Sequence, residues 1–396
     1  MKVNKGAKRK FNYQRIDTKE NSQQTGAETF AVMPKKDEDS EKKQDLKAQR
    51  GNLVGGKRKV KKVKAKVVKA NVLPSIKKVE DEVLKSIIGQ DEQVRKILTA
   101  VYKSSLFDTL KSNILVIGNS GTGKTETVKQ IAKRLNLPYT VEDATKYTKE
   151  GYYGNSVEEM VYNLLEAANG NLEAAEHGII IIDEIDKKAG HDSNDVSGVE
   201  VLKSLLKIVE GTTMYVETGG ETNFDIRPFN TEKVTIVFMG AFSGIKELVS
   251  KRLNTKHLGF SGLEDAKEKN PKVLKQDLVK YGLPEEFVGR IDTIVQMNEL
   301  KEKELASILK NSELSIFKRY QEALKKMEIA LQYDDEIFES IAKESLAIAT
   351  GARELTNTVN YIFENIMYEV ISSPKKFHKC KLLTGIVKDN RKYELS

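Results

Sequence analysis

The chain of 396 residues has a single cysteine, Cys380, and four scattered histidines, His177, His191, His257 and His378. One cysteine excludes an internal disulfide framework. The lack of any Cys-x-x-Cys pair excludes the usual zinc and iron–sulfur ligand sets, so no structural zinc is expected. Long apolar runs are missing too. None reaches the roughly 20 residues that a membrane-spanning helix needs, and residues 1–20 lack the apolar core of a secretory signal. These absences predict a soluble, cytoplasmic chain with no membrane insertion.

Charge is distributed unevenly. The first 70 residues hold 21 Lys and Arg against 8 Asp and Glu, a net of +13, whereas the whole chain carries +8. The remaining 326 residues therefore carry −5, and the basic character belongs to the N-terminal segment. Large apolar residues are scarce there, which predicts disorder in isolation. Its densest part, residues 57–69 (KRKVKKVKAKVVK), has 8 basic residues in 13. Such a run suits nucleic acid, anionic lipid or an acidic partner, and equally a solvated linker.

Gly118 to Thr125 reads GNSGTGKT, directly after the apolar run Ile114–Ile117. This fits G-x-x-x-x-G-K-[ST] in the required context, a strand, a glycine-rich turn and the start of a helix near Lys124. Backbone N–H groups of Gly118, Asn119, Ser120, Gly121, Thr122, Gly123, Lys124 and Thr125, with Glu126 following, are placed to cradle phosphates. The Lys124 ammonium would reach the β- and γ-phosphates, and the Thr125 hydroxyl would hold Mg²⁺.

The surrounding pattern alternates short apolar strands (113–118, 139–142, 178–182, 234–239) with helices (91–106, 124–135, 156–169, 199–210). It predicts an α/β fold with a mostly parallel, helix-covered sheet and nucleotide at the carboxyl ends of the strands. Beyond Ile294 the pattern is helical and charged, over 301–327, 334–346 and 353–370, without a clear sheet; KLLTGIVKD (381–389) reads as a short extended element. The expected division is a basic extension (1–70), an α/β domain (71–294), a small helical domain (295–375) and a tail (376–396).

The run Ile179–Ile182 ends in Asp183-Glu184, 59 residues beyond Lys124. Asp183 at a strand end can hold Mg²⁺, and Glu184 can orient and deprotonate an attacking water. Asp186 and Lys187 are read as positioning the acidic turn.

With these motifs in order, the sequence resembles the AAA+ ATPases and, within them, the ClpX-type protein unfoldases. The resemblance runs from Val79 to Ser372. It rests on IIGQDE (87–92), SNILVIGNSGTGKT (112–125), DATKYTKEGYYG (143–154), GIIIIDEIDK (178–187), NDVSG (194–198), LLKIVEG (205–211), LPEEFVGR (283–290) and TGAR (350–353). The short path from Asp183-Glu184 to NDVSG sets it apart from the related HslU unfoldases, which carry a large insertion nearby.

The resemblance implies roles that spacing alone does not. Ile87 and Ile88 would pack the adenine. Arg353 would contact phosphate in cis, and Arg290 would serve as a finger reaching a neighbouring subunit's nucleotide, in a homohexameric ring. Gly151, Tyr152, Tyr153 and Gly154 resemble the pore loop that grips unfolded or tagged protein substrates; Tyr153 stands where the family usually has valine. Leu258, Gly259 and Phe260 resemble the tripeptide that docks on the ClpP peptidase. The chain departs from the family in having no four-cysteine N-terminal site, no basic pore-entrance loop at 219–230, Asn194 before DVSG, and no polar side chain at the end of the 235–242 strand. Three functions follow as expectations: an ATP-driven unfoldase feeding ClpP, a remodeller acting without protease, and a DNA-directed ATPase using residues 57–69.

Overall fold

The computed structural model describes residues 73–107, 110–147, 156–190, 196–218, 225–256, 271–348 and 351–396. All belong to one compact unit, Lys69–Ser396. In chain order the first part comprises α1 (Ile76–Leu84), α2 (Asp91–Leu106), β1 (Ile114–Ile117), α3 (Lys124–Arg134), β2 (Tyr139–Asp143), α4 (Glu159–Ala167), α5 (Leu172–Glu176) and β3 (Ile179–Asp183). It continues with α6 (Val196–Glu210), β4 (Thr213–Thr218), β5 (Asp225–Asn230), β6 (Thr235–Gly240), α7 (Ile245–Lys256), α8 (Lys275–Tyr281), α9 (Glu285–Gly289) and β7 (Thr293–Gln296).

Five strands form an all-parallel sheet in the order β2-β3-β6-β1-β7. Its inner strands are apolar at nearly every position because both faces are covered, the exceptions being Thr235 at the start of β6 and Asp183 at the end of β3. Ile180, Ile182, Leu115 and Phe238 point into one core with α4 and α6, whereas Ile179, Ile181, Val116 and Val237 point into the other with α2 and α3. Each fully buried side chain of this kind contributes about 1.5–3 kcal/mol relative to exposure. The expected α/β architecture is borne out. β4 and β5 pair as a separate antiparallel hairpin.

The C-terminal part contains α10 (Glu302–Asn311), α11 (Ile316–Lys326), β8 (Ala330–Gln332), α12 (Glu336–Ala347), α13 (Ala352–Ser372), β9 (Lys379–Leu382) and β10 (Tyr393–Leu395). Its own core centres on Phe317, whose ring lies 4.9 Å from Tyr333, 5.0 Å from Phe338 and 5.6 Å from Phe363.

Three expectations change here. The helix read over 301–327 is two helices, because Ser312 and Ser315 interrupt it. The Ser315 hydroxyl accepts the Lys318 N–H at 3.2 Å to cap α11, and the Ser312 hydroxyl donates to Ser86 O at 2.7 Å. The domain also has a sheet, of order β10-β9-β8. Finally, the tail expected over 376–396, with its short extended element, packs on the helical core through the buried Cys380, Leu382 and Ile386. Only Lys381 and Leu382 of the expected extended element are strand, and the chain turns after them.

Candidate nucleotide site

The parallel sheet sends the ends of β1, β3 and β6 to one edge. After β1 the chain turns through Gly123, which caps α3 at φ +88° with no side-chain cap bond. A residue with a Cβ is strained in that conformation, and the bare cap keeps the first N–H groups of α3 open to an anion. The Lys124 Nζ donates to Gly118 O at 2.6 Å and to Asn119 O at 3.1 Å. Burial holds this ammonium below the ordinary lysine range; Asp183, Asp186 and Glu184 oppose that shift and Arg353 adds to it.

β3 delivers the acidic pair. The Thr125 hydroxyl donates to Asp183 Oδ2 at 2.9 Å, and the Glu184 N–H donates to Asp183 Oδ1 at 2.9 Å. Glu184 itself adopts φ +58°, uncommon for a residue with a side chain, and its carboxylate is exposed on the cleft. The oxygen-only donors of Thr125 and Asp183 suit a hard cation such as Mg²⁺.

Asp186 has a different part. It is buried, and its Oδ2 accepts the Phe242 N–H at 3.0 Å. It therefore ties the acidic turn to the end of β6, where the strand offers no polar side chain. Two residues further on, the side chain of Lys188 reaches away from the cleft and donates to Tyr147 O at 3.0 Å. The Tyr147 hydroxyl in turn donates to the buried Glu142 carboxylate, and burial with this contact pushes the phenol pKa up.

The helical domain closes the cleft. The Ala352 N–H donates to Gly121 O at 3.2 Å. A Cβ on Gly351 (φ +60°) would stand 3.3 Å from both Ser120 O and Gly121 O, so only glycine brings the start of α13 this close to the phosphate loop. The cleft has a volume of about 740 Å³ and brings together Ile87, Ile88, Ser120 to Glu126, Asp183, Glu184 and Arg353.

Other expected residues lie elsewhere. Gly118 and Asn119 line a separate recess, and the Asn119 amide donates to Glu299 Oε1 at 3.2 Å. Arg290 does not line the cleft of its own chain; its guanidinium pairs with Glu210 Oε1 at 2.5 Å. Gly151, Tyr152, Tyr153, Gly154, Leu258, Gly259 and Phe260 fall outside the described residues, as does the run 57–69.

Gln90 and Arg319 are among the cleft side chains that the sequence reading did not assign. Gln90 braces the phosphate loop, donating to Thr122 O at 3.2 Å and to Asn298 O at 2.9 Å while accepting the Asn298 N–H. Its signal is its place in IIGQDE, directly after Gly89. Arg319 lines the cleft from α11, with no sequence signal at all.

Comparison with known proteins assigns the family. Residues 109–294 match the model of the AAA domain (Cdc48 subfamily), and residues 300–381 match that of the C-terminal, D2-small domain, of ClpB protein. The chain is 36% identical over 324 residues to the ATP-dependent Clp protease ATP-binding subunit ClpX of Borrelia duttonii, covering 76% of each chain. The chain belongs to the ClpX family. The ClpX subunit of Bacteroides thetaiotaomicron is 36% identical over 319 residues, covering 75% of this chain and 77% of that one. That of Treponema denticola is 34% identical over 330 residues, covering 77% and 80%. Membership makes the chain an AAA+ ATPase of the Clp unfoldase class, with ATP and Mg²⁺ use implied by its AAA domain. Among the described residues no ClpX-family helix is long and apolar enough to cross a membrane, and no cluster of His, Cys, Asp and Glu is placed to hold a metal.

Proposed function

We propose that the chain is a ring-forming, ATP-hydrolysing protein unfoldase and translocase that delivers polypeptide to a ClpP-type peptidase and has no peptidase activity itself. The observation that carries the reading is the meeting of Lys124, Thr125, Asp183, Glu184 and Arg353 in one cleft built from both domains. The loop amides from Ser120 to Thr125 and the Lys124 ammonium bind the phosphates. Thr125 and Asp183 would hold Mg²⁺, which when bound offsets charge on the β- and γ-phosphates. Glu184 orients the attacking water and takes its proton. Ile87 and Ile88 pack the adenine. Arg353 reports phosphate to the helical domain. Arg290, held outside its own cleft by Glu210, serves the nucleotide of the next subunit in a homohexamer, where positive charge is needed in the transition state.

Tyr152 and Tyr153, between Gly151 and Gly154, grip substrate, and Leu258–Gly259–Phe260 docks on the peptidase. The chain divides into a basic extension (1–70), an α/β domain (71–294) and a helical domain from 295, with 376–396 completing that domain's core. The protein acts in the cytoplasm. The density of basic residues at 57–69 supports a second reading, a remodeller of nucleic-acid-bound complexes acting without protease.

The test is ATP-driven degradation of a tagged folded protein, with and without the matching ClpP. Glu184→Gln should keep ATP binding and lose about 10²–10⁴ in hydrolysis rate. Tyr152→Ala should hydrolyse ATP yet fail to unfold, and normal unfolding by it would sink the pore-loop assignment. Deleting residues 258–260 should spare unfolding and abolish degradation. Unfolding without degradation by the intact chain would select the remodeller.

A further inference from the structure

Eight arginines fall among the described residues, at 95, 134, 227, 252, 290, 319, 353 and 391. Six hold a carboxylate: Arg95 with Glu80, Arg134 with Glu313, Arg227 with Asp225, Arg252 with Asp277, Arg290 with Glu210 and Arg391 with Asp389. Arg319 and Arg353 hold none among the described residues, and both line the nucleotide cleft. Arg353 belongs to the TGAR motif, whereas Arg319 belongs to no motif.

The neighbours of Arg319 fix where along the cleft it stands. The corner between α10 and α11 is held to the α/β domain by the Ser312 hydroxyl on Ser86 O, and the Ser315 hydroxyl donates to Leu309 O at 2.5 Å. Arg319 follows one turn later, its N–H donating to Ser315 O at 3.2 Å. The residues flanking it on α11 are committed elsewhere. Lys318 Nζ donates to Asn311 O at 2.9 Å, and Tyr320 stacks on Phe363 with ring centroids 4.4 Å apart. The cleft lining beside this corner carries the apolar side chains of Ile87, Ile88, Ile308, Leu309, Leu314 and Ile316 together with Ser86, Ser312 and Ser315. Lys124, Asp183 and Glu184 belong to the loops at the strand ends, where the phosphates go. Arg319 therefore stands at the end of the cleft suited to a flat heteroaromatic base.

We propose that Arg319 is a specificity-determining residue for the nucleotide, its guanidinium lying against the purine face opposite the apolar wall of Ile87 and Ile88. A planar cation on an extended π-surface is favourable, more so as water is excluded, and lysine reproduces it poorly. The helical domain would then contact both ends of one nucleotide, the base through Arg319 and the phosphates through Arg353. This inference rests on the reading of the cleft as the ATP site.

The experiment uses the full chain and its Arg319→Ala, Arg319→Lys and Lys124→Ala variants. It measures ADP affinity by calorimetry, displacement of ADP by inorganic tripolyphosphate, and KM and kcat for ATP. Arg319→Ala should weaken ADP binding and raise KM about tenfold, the loss falling on KM rather than kcat. Tripolyphosphate, which has no base, should bind Arg319→Ala as it binds the unaltered chain. Arg319→Lys should recover only part of the loss. Unchanged ADP affinity in Arg319→Ala would overturn the proposal, as would an equal loss for ADP and tripolyphosphate, which would make Arg319 a phosphate contact. If the unaltered chain binds no ADP, or Lys124→Ala binds ADP as well as it does, the cleft reading falls and takes this proposal with it.

Discussion

The two walls of the cleft are built on different principles. The α/β wall is set at the ends of strands whose every inner residue is buried, so Lys124, Asp183 and Glu184 inherit their positions from a packed parallel sheet. The helical wall has a core of its own and reaches the first wall through polar contacts: Ala352 N–H on Gly121 O, Ser312 on Ser86 O, the Glu313 N–H on Lys85 O, and Arg134 with Glu313 at 2.7 Å. Polar contacts exchange with water at little net cost, about 0.5–1.5 kcal/mol each, whereas a core side chain does not. The chemistry thus sits on the fixed wall, and the wall that touches Gly121 is the one that can be released.

The comparison can be broken most directly in the helical core. Phe363→Ala should destabilise that domain by about 3–5 kcal/mol and leave the parallel sheet intact. Denaturant melts followed at both domains should separate; coincident melts would show that the two walls unfold as one body.

A smaller effect concerns a charge inside the α/β wall. Lys111 Nζ donates to Ile208 O at 3.2 Å near the end of α6 and to Thr231 O at 2.9 Å, and burial pushes its pKa down to about 8. In the unfolded chain a lysine titrates near 10.4. Below pH 8 both states are protonated, and the cost of the buried charge is fully present. Between pH 8 and about 10.4 the unfolded state binds more protons, so stability rises with pH. Relative to Lys111→Met, the protein should gain up to about 3 kcal/mol across that interval. A flat difference from pH 7 to 10 would show that Lys111 keeps its ordinary pKa.

Gly351→Ala tests the join itself. The backbone conformation there and the 3.3 Å approach to two loop carbonyls predict a loss of about 1–3 kcal/mol, with weaker ATP binding by calorimetry. Unchanged affinity would mean that the α13 start does not shape the phosphate loop. The smallest effect is expected from Glu313→Ala. Its partner Arg134 holds the carboxyl below the ordinary range through a hydrogen bond, yet both side chains keep contact with solvent, so about 0.2–1 kcal/mol is at stake. Stability from this pair is present above pH of about 4.3 and is lost as pH falls through the depressed value; salt should erase much of it.

Legibility in the sequence followed the same division. β1, β3 and β6 were readable because a doubly covered parallel strand is filled almost entirely by apolar residues. The phosphate loop was readable because its glycines and Lys124 stand at fixed offsets. The break between α10 and α11 was not readable, since no glycine or proline marks it and two serines cap and anchor it through tertiary partners. β7, β8 and β10 are only three or four residues long and carry no periodic signal of their own. The role of Arg353 came from resemblance to a family motif. Arg319 faces the cleft only because distant segments fold against it, and nothing in its local sequence records that; Gln90 sits in IIGQDE, but its bonds to Thr122 and Asn298 are tertiary.

Lys188 carries a last consequence. Its side chain holds the carbonyl of Tyr147, just before the segment 148–155, and its own carbonyl faces Gly198, just after the segment 191–195, where a Cβ would stand 2.8 Å away. The same residue closes the short 3₁₀ turn that begins beside Glu184. Tyr147 and Gly198 are 51 residues apart in sequence, yet both meet Lys188. A rotation of that single turn would therefore displace Tyr147 and Gly198 together.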